Sequence, residues 1–264
     1  MSIVYGLIVG LALGLTGGGG SIFAVPLLVF GLELDFRRAV AVSLAVVGLT
    51  ALFGAILQAR SRQVLWGAGA LLGAGGILAA PLGARLGEML PDQWSLLLFA
   101  ILMSFIGVRM LLPNNTAQDV PISWMSCERK EDGTPKFTTR CAAKIFTSGM
   151  LAGLLSGIFG VGGGFLIVPV LLMVTKISMP RALATSLVGI FLISSSSFAA
   201  NAVHMQASDW PLAGLFLLGA AAGMLSGVVL KKWLPGKFLP PIFGVSSLGV
   251  ALWILVTQIV QHYK

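Results

Sequence analysis

Long apolar stretches alternate with short polar connections along almost the whole chain. Eight such stretches occur, and each has about the 20 residues or more with which a helix crosses a bilayer. Buried helices of a soluble protein do not follow one another eight times at this length, so the pattern predicts an all-α polytopic membrane protein. The stretches lie at residues 3–31, 38–58, 64–90, 94–112, 143–175, 179–203, 210–234 and 238–260.

One polar stretch, Pro113 to Lys144, separates the fourth apolar segment from the fifth. It carries charges of both signs, three prolines and a glycine, which is typical of a flexible linker or a small surface element. We therefore predict a first membrane repeat over 1–112, a cytoplasmic linker over 113–144 and a second membrane repeat over 145–264. Both cysteines, Cys127 and Cys141, fall in the linker, where we interpret them as free thiols on an exposed connection.

Composition excludes a soluble enzyme. Hydrophobic residues make up 57% of the chain and charged residues 10%, against roughly 25% charged in an ordinary soluble domain. The net charge of +8 does not indicate nucleic-acid binding, because Lys and Arg stand singly or in pairs between apolar stretches, as residues flanking a membrane do. The first segment has no basic residues before it, so we interpret it as mature structure and not as a cleaved signal peptide.

The sequence carries no enzyme signature. It contains no GxxxxGK[ST] for ATP, no HExxH and no pair of aspartates within the apolar segments. The glycine clusters stand within apolar helical stretches and not after a strand, so the dinucleotide fingerprint does not apply. We therefore expect no enzymatic activity, no cofactor and no metal site.

The two membrane regions repeat each other with a constant offset of 143 residues. Chance similarity between glycine-rich apolar segments is the alternative, but it does not explain an unbroken register across two segments and the loop between them. The chain is therefore interpreted as a duplication with four apolar segments in each half. The paired positions include Gly6 with Gly149, Gly10 with Gly153, Gly14 with Gly157, Gly17 with Gly160, Gly19 with Gly162, Gly20 with Gly163, Pro26 with Pro169, Arg38 with Arg181 and Ser43 with Ser186.

The distribution of basic residues favours inverted repeats. If all eight segments cross the membrane, Lys and Arg divide about 9 to 8 between the two sides, which is no bias. If the fifth segment enters and leaves on the same side, the division becomes about 13 to 4, with the linker on the positive, cytoplasmic side. Repeat symmetry extends the same behaviour to the first segment. We predict two inverted repeats, each opening with a glycine-broken or re-entrant helix.

Glycine clusters stand where the breaks are predicted, at 17–20 in the first segment and 160–164 in the fifth. Each glycine costs a helix about 1 kcal/mol, and non-helical backbone at membrane depth survives only inside protein or beside a water-filled cavity. Two such breaks facing each other mark a transporter site, and their exposed N–H groups suit an anion. Tight helix packing is the alternative reading, which we prefer for Gly6, Gly10 and Gly14. The candidate substrate-binding residues here are Thr16, Gly17, Gly18, Gly19, Gly20, Ser21, Gly160, Gly162, Gly163 and Gly164.

Further candidates lie on the second and sixth segments. Arg38 and Arg181 stand at the segment starts, where snorkelling to lipid headgroups is an equal alternative to ligand contact. Serines can also satisfy themselves by bonding to the preceding turn of their own helix. His204 is a lone histidine near an interface, more often structural than functional. The remaining candidate substrate-binding residues are Ser43, Ser186, Ser194, Ser197 and Asn201, with Gln58 a weaker one.

Acidic residues fall only at segment ends or in the linker. Cation and proton carriers usually keep a carboxylate within the membrane, so we expect an anionic substrate. An anion leaving a negative-inside cell gains about 2.3 kcal/mol per charge per 100 mV, and export therefore needs no coupling residue. Uptake would need one, or a sodium site built from carbonyl oxygens.

Two motifs resemble the sulfite exporter TauE/SafE family, also called the toluene sulfonate uptake permease family. One is G-x-x-G-x-G-G-G-x-hydrophobic-x-hydrophobic-P at 157–169, with a degenerate copy at 14–26; the other is R-A-hydrophobic-A-[TV]-S-L at 38–44 and 181–187. The resemblance covers nearly the whole chain except the linker, and it implies transport of small sulfur-containing oxyanions such as sulfite and sulfoacetate. The first copy departs from the second at Thr16, Gly18 and Ser21, which would make the pocket asymmetric.

The leading hypothesis is a secondary transporter that exports sulfite or an organosulfonate across the bacterial cytoplasmic (inner) membrane. Uptake of the same anions is one alternative. A non-transporting membrane scaffold that acts through its linker is another. The partners we expect are a small anionic substrate and the lipid bilayer, with a homodimer as the candidate assembly and no nucleic acid.

Overall fold

The computed structural model describes residues 1–60, 63–111, 138–161, 164–175, 177–230 and 239–262. Over these residues the protein is helical and contains no strand. The helices are α1 Ser2–Thr16, α2 Ser21–Gly31, α3 Phe36–Ala59, α4 Trp66–Met89, α5 Asp92–Leu111, α6 Thr139–Phe159, α7 Gly164–Thr175, α8 Met179–Asn201, α9 Asp209–Leu230 and α10 Leu239–His262. A short 3-10 turn, Ala202–His204, follows α8.

Within the part of the chain that the structure describes, five helices are long and apolar enough to cross a membrane: α3, α4, α6, α8 and α9. Large apolar side chains such as Leu218, Phe105 and Leu252 are exposed on the outside of the bundle. Such a surface is typical of a protein solvated by lipid tails. The prediction of an all-α polytopic membrane protein is confirmed.

The first and fifth apolar segments are each broken at their glycine cluster. α1 ends at Thr16, and Gly17 follows it with φ 68°; α6 ends at Phe159, and Gly160 follows it with φ 69°. This left-handed conformation is open to glycine and costs other residues about 1–2 kcal/mol. The chain then resumes as α2 and α7, so both predicted breaks are present.

α2 folds back along α1 after the break. Gly20, just before α2, lies against Val9 and Leu13 of α1, and Gly31 at the end of α2 lies against the ring of Tyr5. The two helices are therefore antiparallel, and the first segment returns toward the side from which it entered.

Glycines on α1 and α6 bring these helices into close contact with the fourth helix of the other half. A Cβ atom on Gly10 would lie 1.9 Å from the carbonyl oxygen of Ala220 on α9, and one on Gly153 would lie 2.3 Å from that of Gly76 on α4. Gly6 and Gly14 also pack against α9. The packing role preferred for the glycines of α1 is therefore confirmed, and any side chain there would force the helices apart.

Corresponding helices of the two halves run in opposite directions. On α3 and α8, Gly48 lies against Ser194 and Gly54 against Leu187. On α5 and α10, the Ser247 hydroxyl donates to the carbonyl oxygen of Met103, whereas Gly107 lies against Gly244. These antiparallel contacts support the interpretation of inverted repeats, which stays a prediction.

The helix ends define two faces of the bundle. At the Asp209 face, α3 and α9 begin and α4 and α8 end; at the opposite Arg181 face, α6 and α8 begin and α3 ends. The Arg181 face also carries Arg60, Arg140 and Lys144. The preference for positive residues on the inside predicts that the Arg181 face is cytoplasmic.

The linker differs from its sequence interpretation at its end. The last six residues assigned to it, 139–144, are the first residues of α6. Cys141 lies on this helix, is 3% exposed and is disulfide-bonded, so the interpretation of an exposed free thiol is wrong for Cys141. The reason is that α6 begins two residues before Cys141 and packs against its neighbours, so Cys141 is buried on a helix and does not lie in the polar loop. Cys127 and residues 112–137 lie outside the described residues.

Candidate functional site

Each broken segment is interrupted after its first helix, at a point that we call a tip: the first tip is residues 17–20, and the second is Gly160 with Val161. The N–H groups of Gly17 and Gly160 donate to the carbonyl oxygens of Leu13 and Ser156, both over 2.8 Å, and so close the last turns of α1 and α6. Gly162 and Gly163, which we predicted as binding residues, lie outside the described residues.

A serine from the opposite half holds each tip. The Ser186 hydroxyl of α8 donates to the carbonyl oxygen of Gly17 over 2.6 Å and also lies 2.8 Å from that of Leu183. The Ser43 hydroxyl of α3 donates to the carbonyl oxygen of Gly160. Both serines are fully buried. Their protons are engaged in holding the tips, and contact with a substrate stays a prediction for both residues.

The first tip meets the start of α7. A Cβ atom on Gly18 would lie 2.2 Å from the carbonyl oxygen of Gly164, and one on Gly164 would lie 2.8 Å from that of Gly18. Ile190 of α8 lies against the same point. The structure therefore brings the two broken segments together inside the bundle, as two facing breaks require.

The hydroxyl groups of the first tip are used within the tip. Thr16 donates to the carbonyl oxygen of Ala12 over 2.7 Å and accepts the N–H of Gly19 over 2.8 Å. Ser21 donates to the carbonyl oxygen of Gly18 over 2.7 Å. The sequence therefore overstated the number of donors, because the N–H of Gly19 and both hydroxyl protons already have acceptors.

The backbone of the first tip is polarised by its own hydrogen bonds. All four carbonyl oxygens accept a bond: Gly17 from Ser186, Gly18 from Ser21, Gly19 from the N–H of Ile22 and Gly20 from that of Phe23. The N–H groups of Gly18 and Gly20, by contrast, donate to none of the described residues. Two spare N–H donors, at Gly18 and Gly20, suit an anion.

Arg38 has a fixed partner. Its Nε lies 3.1 Å from Asp209 Oδ2, and one of its terminal nitrogens forms a short bond to Oδ1 of the same carboxylate, which is 1% exposed. The sequence offered a lipid anchor or a substrate contact for Arg38; the structure shows an ion pair between α3 and α9, and contact with a substrate stays a prediction. Asp209 lies 171 residues along the chain, too far for any sequence pattern to pair the two.

Arg181 is not brought together with Arg38. The two arginines occupy the first turns of α8 and α3, which run antiparallel and begin at opposite faces. Arg181 is half-buried and bonds to none of the residues that the structure describes. A joint site for both arginines is therefore not formed.

Ser194, Ser197 and Asn201 lie on one face of α8 at spacings of three and four residues, and all three are buried. Ser197 Oγ lies 3.0 Å from Ser156 Oγ of α6, and Asn201 Nδ2 donates to the carbonyl oxygen of Ser197 over 2.9 Å. Ser194 Oγ has no partner within the described part of the chain. We call these three residues the α8 polar stripe.

The other serines of this run bond to backbone. Ser195 donates to the carbonyl oxygen of Phe191 on its own helix over 2.7 Å, which is the self-satisfying alternative. Ser196 donates to the carbonyl oxygen of Ile77 on α4 over 2.9 Å. Ser194 and Ser197 of this run are therefore buried. Ser195 bonds to the backbone of its own helix and Ser196 to the backbone of α4.

A cleft that the sequence did not reveal opens at the Asp209 face. It lies between the ends of α3, α4, α6 and α8. His204 Nε2 lies 3.3 Å from Glu88 Oε1 at its edge, and Arg37 donates to the carbonyl oxygen of Glu88 over 2.9 Å. Glu88 and His204 are far apart in sequence, and only the parallel packing of α4 against α8 brings them together.

Comparison with known proteins gives one family and several relatives. The family model described as "Sulfite exporter TauE/SafE" matches residues 2–255. A "Probable membrane transporter protein" of Xylella fastidiosa is 33% identical over 261 residues, covering 97% of this chain and 94% of the relative. The "Probable membrane transporter protein YunE" of Bacillus subtilis is 27% identical and covers 92% of each chain. No solved structure matches.

The relatives are described as transporters and not as enzymes, in agreement with the prediction from sequence. Neither of these two names states a substrate or a direction. Together with the apolar helices, the comparisons make this a multi-pass membrane transporter.

Proposed function

This chain belongs to the sulfite exporter TauE/SafE family, and from that premise we propose that it moves small sulfur-containing oxyanions, sulfite or organosulfonates such as sulfoacetate, across the cytoplasmic membrane. Export is the direction we propose. The substrate would bind where the first tip meets the start of α7, at the contact between Gly18 and Gly164.

The observation that carries the proposal is the polarity of the first tip. Its four carbonyl oxygens already accept hydrogen bonds, while the N–H groups of Gly18 and Gly20 donate to none of the described residues. An oxyanion site needs free donors, which these two N–H groups supply. The first tip therefore favours an oxyanion.

The placement of acidic residues supports export. Among the described residues of the membrane helices, Asp209 pairs with Arg38 at a helix start and Glu88 lies beside His204 at a helix end. Neither carboxylate lies at membrane depth, where a coupling ion or proton would be held. The membrane potential alone drives an anion outward, by about 2.3 kcal/mol per charge per 100 mV.

The first test is ligand-induced stabilisation of the purified protein in detergent. Sulfite, sulfoacetate, taurine and thiosulfate would be compared with sulfate and chloride. A ligand present at 100 times its dissociation constant adds about 2.7 kcal/mol, which a thermal melt resolves. Stabilisation by a sulfonate or sulfite but not by sulfate or chloride supports the proposal, and stabilisation by chloride alone overturns its substrate class.

Anion flux measured in proteoliposomes then tests the direction of transport and distinguishes a transporter from a scaffold. Under the proposal, a potential that is negative on the protein's cytoplasmic side accelerates exit of the anion from that side. The opposite sign would identify uptake. A scaffold would show no flux at all and would lose its cellular function when residues 114–136 are replaced by a short Gly-Ser linker, a change that a transporter tolerates.

A further inference from the structure

We propose that the cleft at the Asp209 face is the extracytoplasmic mouth of the anion pathway and that the α8 polar stripe leads from it to the centre of the membrane. This inference rests on the proposed transport function. It adds a route for the anion that opens at the Asp209 face, and it assigns roles to residues outside the glycine tips.

The cleft reaches the second tip. Val40 of α3 lines the cleft and also lies against Gly160, where a Cβ atom would come 2.5 Å from its side chain. Gly157 of α6 lines the cleft as well, three residues before the tip. The Val40 side chain therefore lies between the cleft and Gly160.

The α8 polar stripe continues from the cleft into the membrane. Asn201 lines the cleft and is 5% exposed, Ser197 lies about one helical turn deeper, and Ser194 follows about one turn beyond that. Ser194 lies against Gly48, at the crossing of α3 and α8. In the other half the corresponding residues are Ala51, Gly54 and Gln58, so the continuous stripe belongs to α8 alone.

The stripe offers spare hydrogen-bond donors. Ser156 and Ser197 have two hydroxyl protons and share one bond, so one proton is left over. Asn201 uses one of its two amide protons on the Ser197 carbonyl oxygen. Ser194 Oγ is fully buried and without a partner among the described residues. Buried hydroxyls are normally bonded, and spare donors at successive turns suit an oxyanion that moves between them.

The mouth of the cleft carries charged groups of both signs. Arg37 from α3 and His204 beyond α8 lie at its edge with Glu88 from α4, whose carboxylate faces His204. The mouth therefore balances one permanent cation with one carboxylate, and the interior of the cleft is lined by small and apolar residues such as Ala84 and Gly87. These described lining residues carry no excess negative charge that would repel an anion.

The test is cysteine accessibility in a variant in which Cys127 and Cys141 are both replaced by Ser. Single cysteines would be placed by Asn201→Cys, Ser197→Cys and Ser194→Cys. Ser195→Cys is the matched control, because it is the same substitution on the opposite, exposed side of the same helix. The probe is sulfonatoethyl methanethiosulfonate, a membrane-impermeant anion, added to spheroplasts or to inside-out vesicles.

We expect Asn201→Cys and Ser197→Cys to react at least about tenfold faster than Ser195→Cys from the extracytoplasmic side, and sulfoacetate to slow that reaction. Fast labelling without protection by sulfoacetate, taurine or thiosulfate would leave the mouth in place and overturn the anion assigned to it. No labelling of folded, transporting variants, or labelling only in inside-out vesicles, would overturn the route while the transport function stands.

A second measurement covers cysteine variants that fail to fold. Ser194→Ala removes the hydroxyl and adds no atom to a site that is fully buried. We expect it to lower sulfoacetate flux at least about tenfold at unchanged thermal stability, and Ser195→Ala to retain flux. Equal flux in both variants would remove Ser194 from the pathway.

Discussion

The Ser186 hydroxyl donates a hydrogen bond of 2.6 Å to the carbonyl oxygen of Gly17, a residue that lies 169 positions earlier in the chain. Ser43 makes the same bond to Gly160. Both bonds connect a serine of one half with the left-handed glycine of the other, and the constant offset of 143 residues relates the two pairs. Each half thus fixes the broken segment of its counterpart.

Removing one of these hydroxyls should loosen a tip. Ser186→Ala leaves the buried carbonyl oxygen of Gly17 without its side-chain donor, and we expect a loss of about 1–3 kcal/mol in the free energy of unfolding. Ser195→Ala, which affects an exposed hydroxyl bonded within its own helix, should cost less than about 0.5 kcal/mol. Denaturant or thermal unfolding in detergent measures both, and equal stability of the two variants would contradict a fixing role for Ser186.

A side chain at the first tip should damage it through conformation and through space. Gly17→Ala places a Cβ atom at φ 68°, at a cost of about 1–2 kcal/mol, and 2.8 Å from the Cα of Leu183. We expect lower thermal stability and reduced anion flux. Gly214→Ala on α9 is the control, since no atom lies within 4 Å of its Cβ position, and it should be neutral or stabilising by up to about 1 kcal/mol. Full flux in Gly17→Ala would show that the tip tolerates rearrangement.

The glycine contact between α1 and α9 should tolerate no branched residue. Gly10→Val would press a Cβ atom to 1.9 Å from the carbonyl oxygen of Ala220, so the two helices must separate along their length. We expect aggregation or loss of the folded peak in size-exclusion chromatography. Gly249→Val on α10, where nothing lies within 4 Å, is the matched substitution and should elute normally. A monodisperse Gly10→Val protein would contradict the close approach.

Variants of the ion pair between Arg38 and Asp209 distinguish a structural role of Arg38 from contact of Arg38 with the substrate. Arg38→Ala leaves the carboxylate of Asp209 without its partner, and we expect a lower thermal stability. The double variant Arg38→Ala with Asp209→Ala should recover part of that stability. If flux returns with stability, Arg38 is structural; if flux stays lost, Arg38 also contacts substrate. Arg181→Ala, which removes no bond among the described residues, should change stability by less than about 0.5 kcal/mol.

The repeat and the breaks could be predicted from sequence because both depend on short-range pattern. Glycine clusters such as Gly17–Gly20 disfavour a helix wherever they occur, and a constant offset needs no knowledge of packing. The same offset pairs Ser43 with Ser186. It could not show that each hydroxyl points to the opposite tip, because that depends on α3 and α8 crossing antiparallel.

The pairing of charged residues could not be predicted from the sequence for a related reason. Arg38 meets Asp209 and Glu88 meets His204 only because particular helices of different halves lie side by side. The capture of the Gly19 N–H by Thr16 is different, because the two residues are three apart. That local bond could have been anticipated, and it would have reduced the number of free donors expected at the first tip.

The glycine contacts of α1 also have a consequence for how the protein is made. Gly6 packs against Phe216, so the first helix to leave the ribosome reaches its permanent neighbour only after more than 200 further residues have been synthesised. α4 likewise waits for α6. Neither half can therefore mature in the bilayer alone, and two separately encoded fragments divided within residues 114–136 should assemble into one transporter only when they are inserted into the same membrane together.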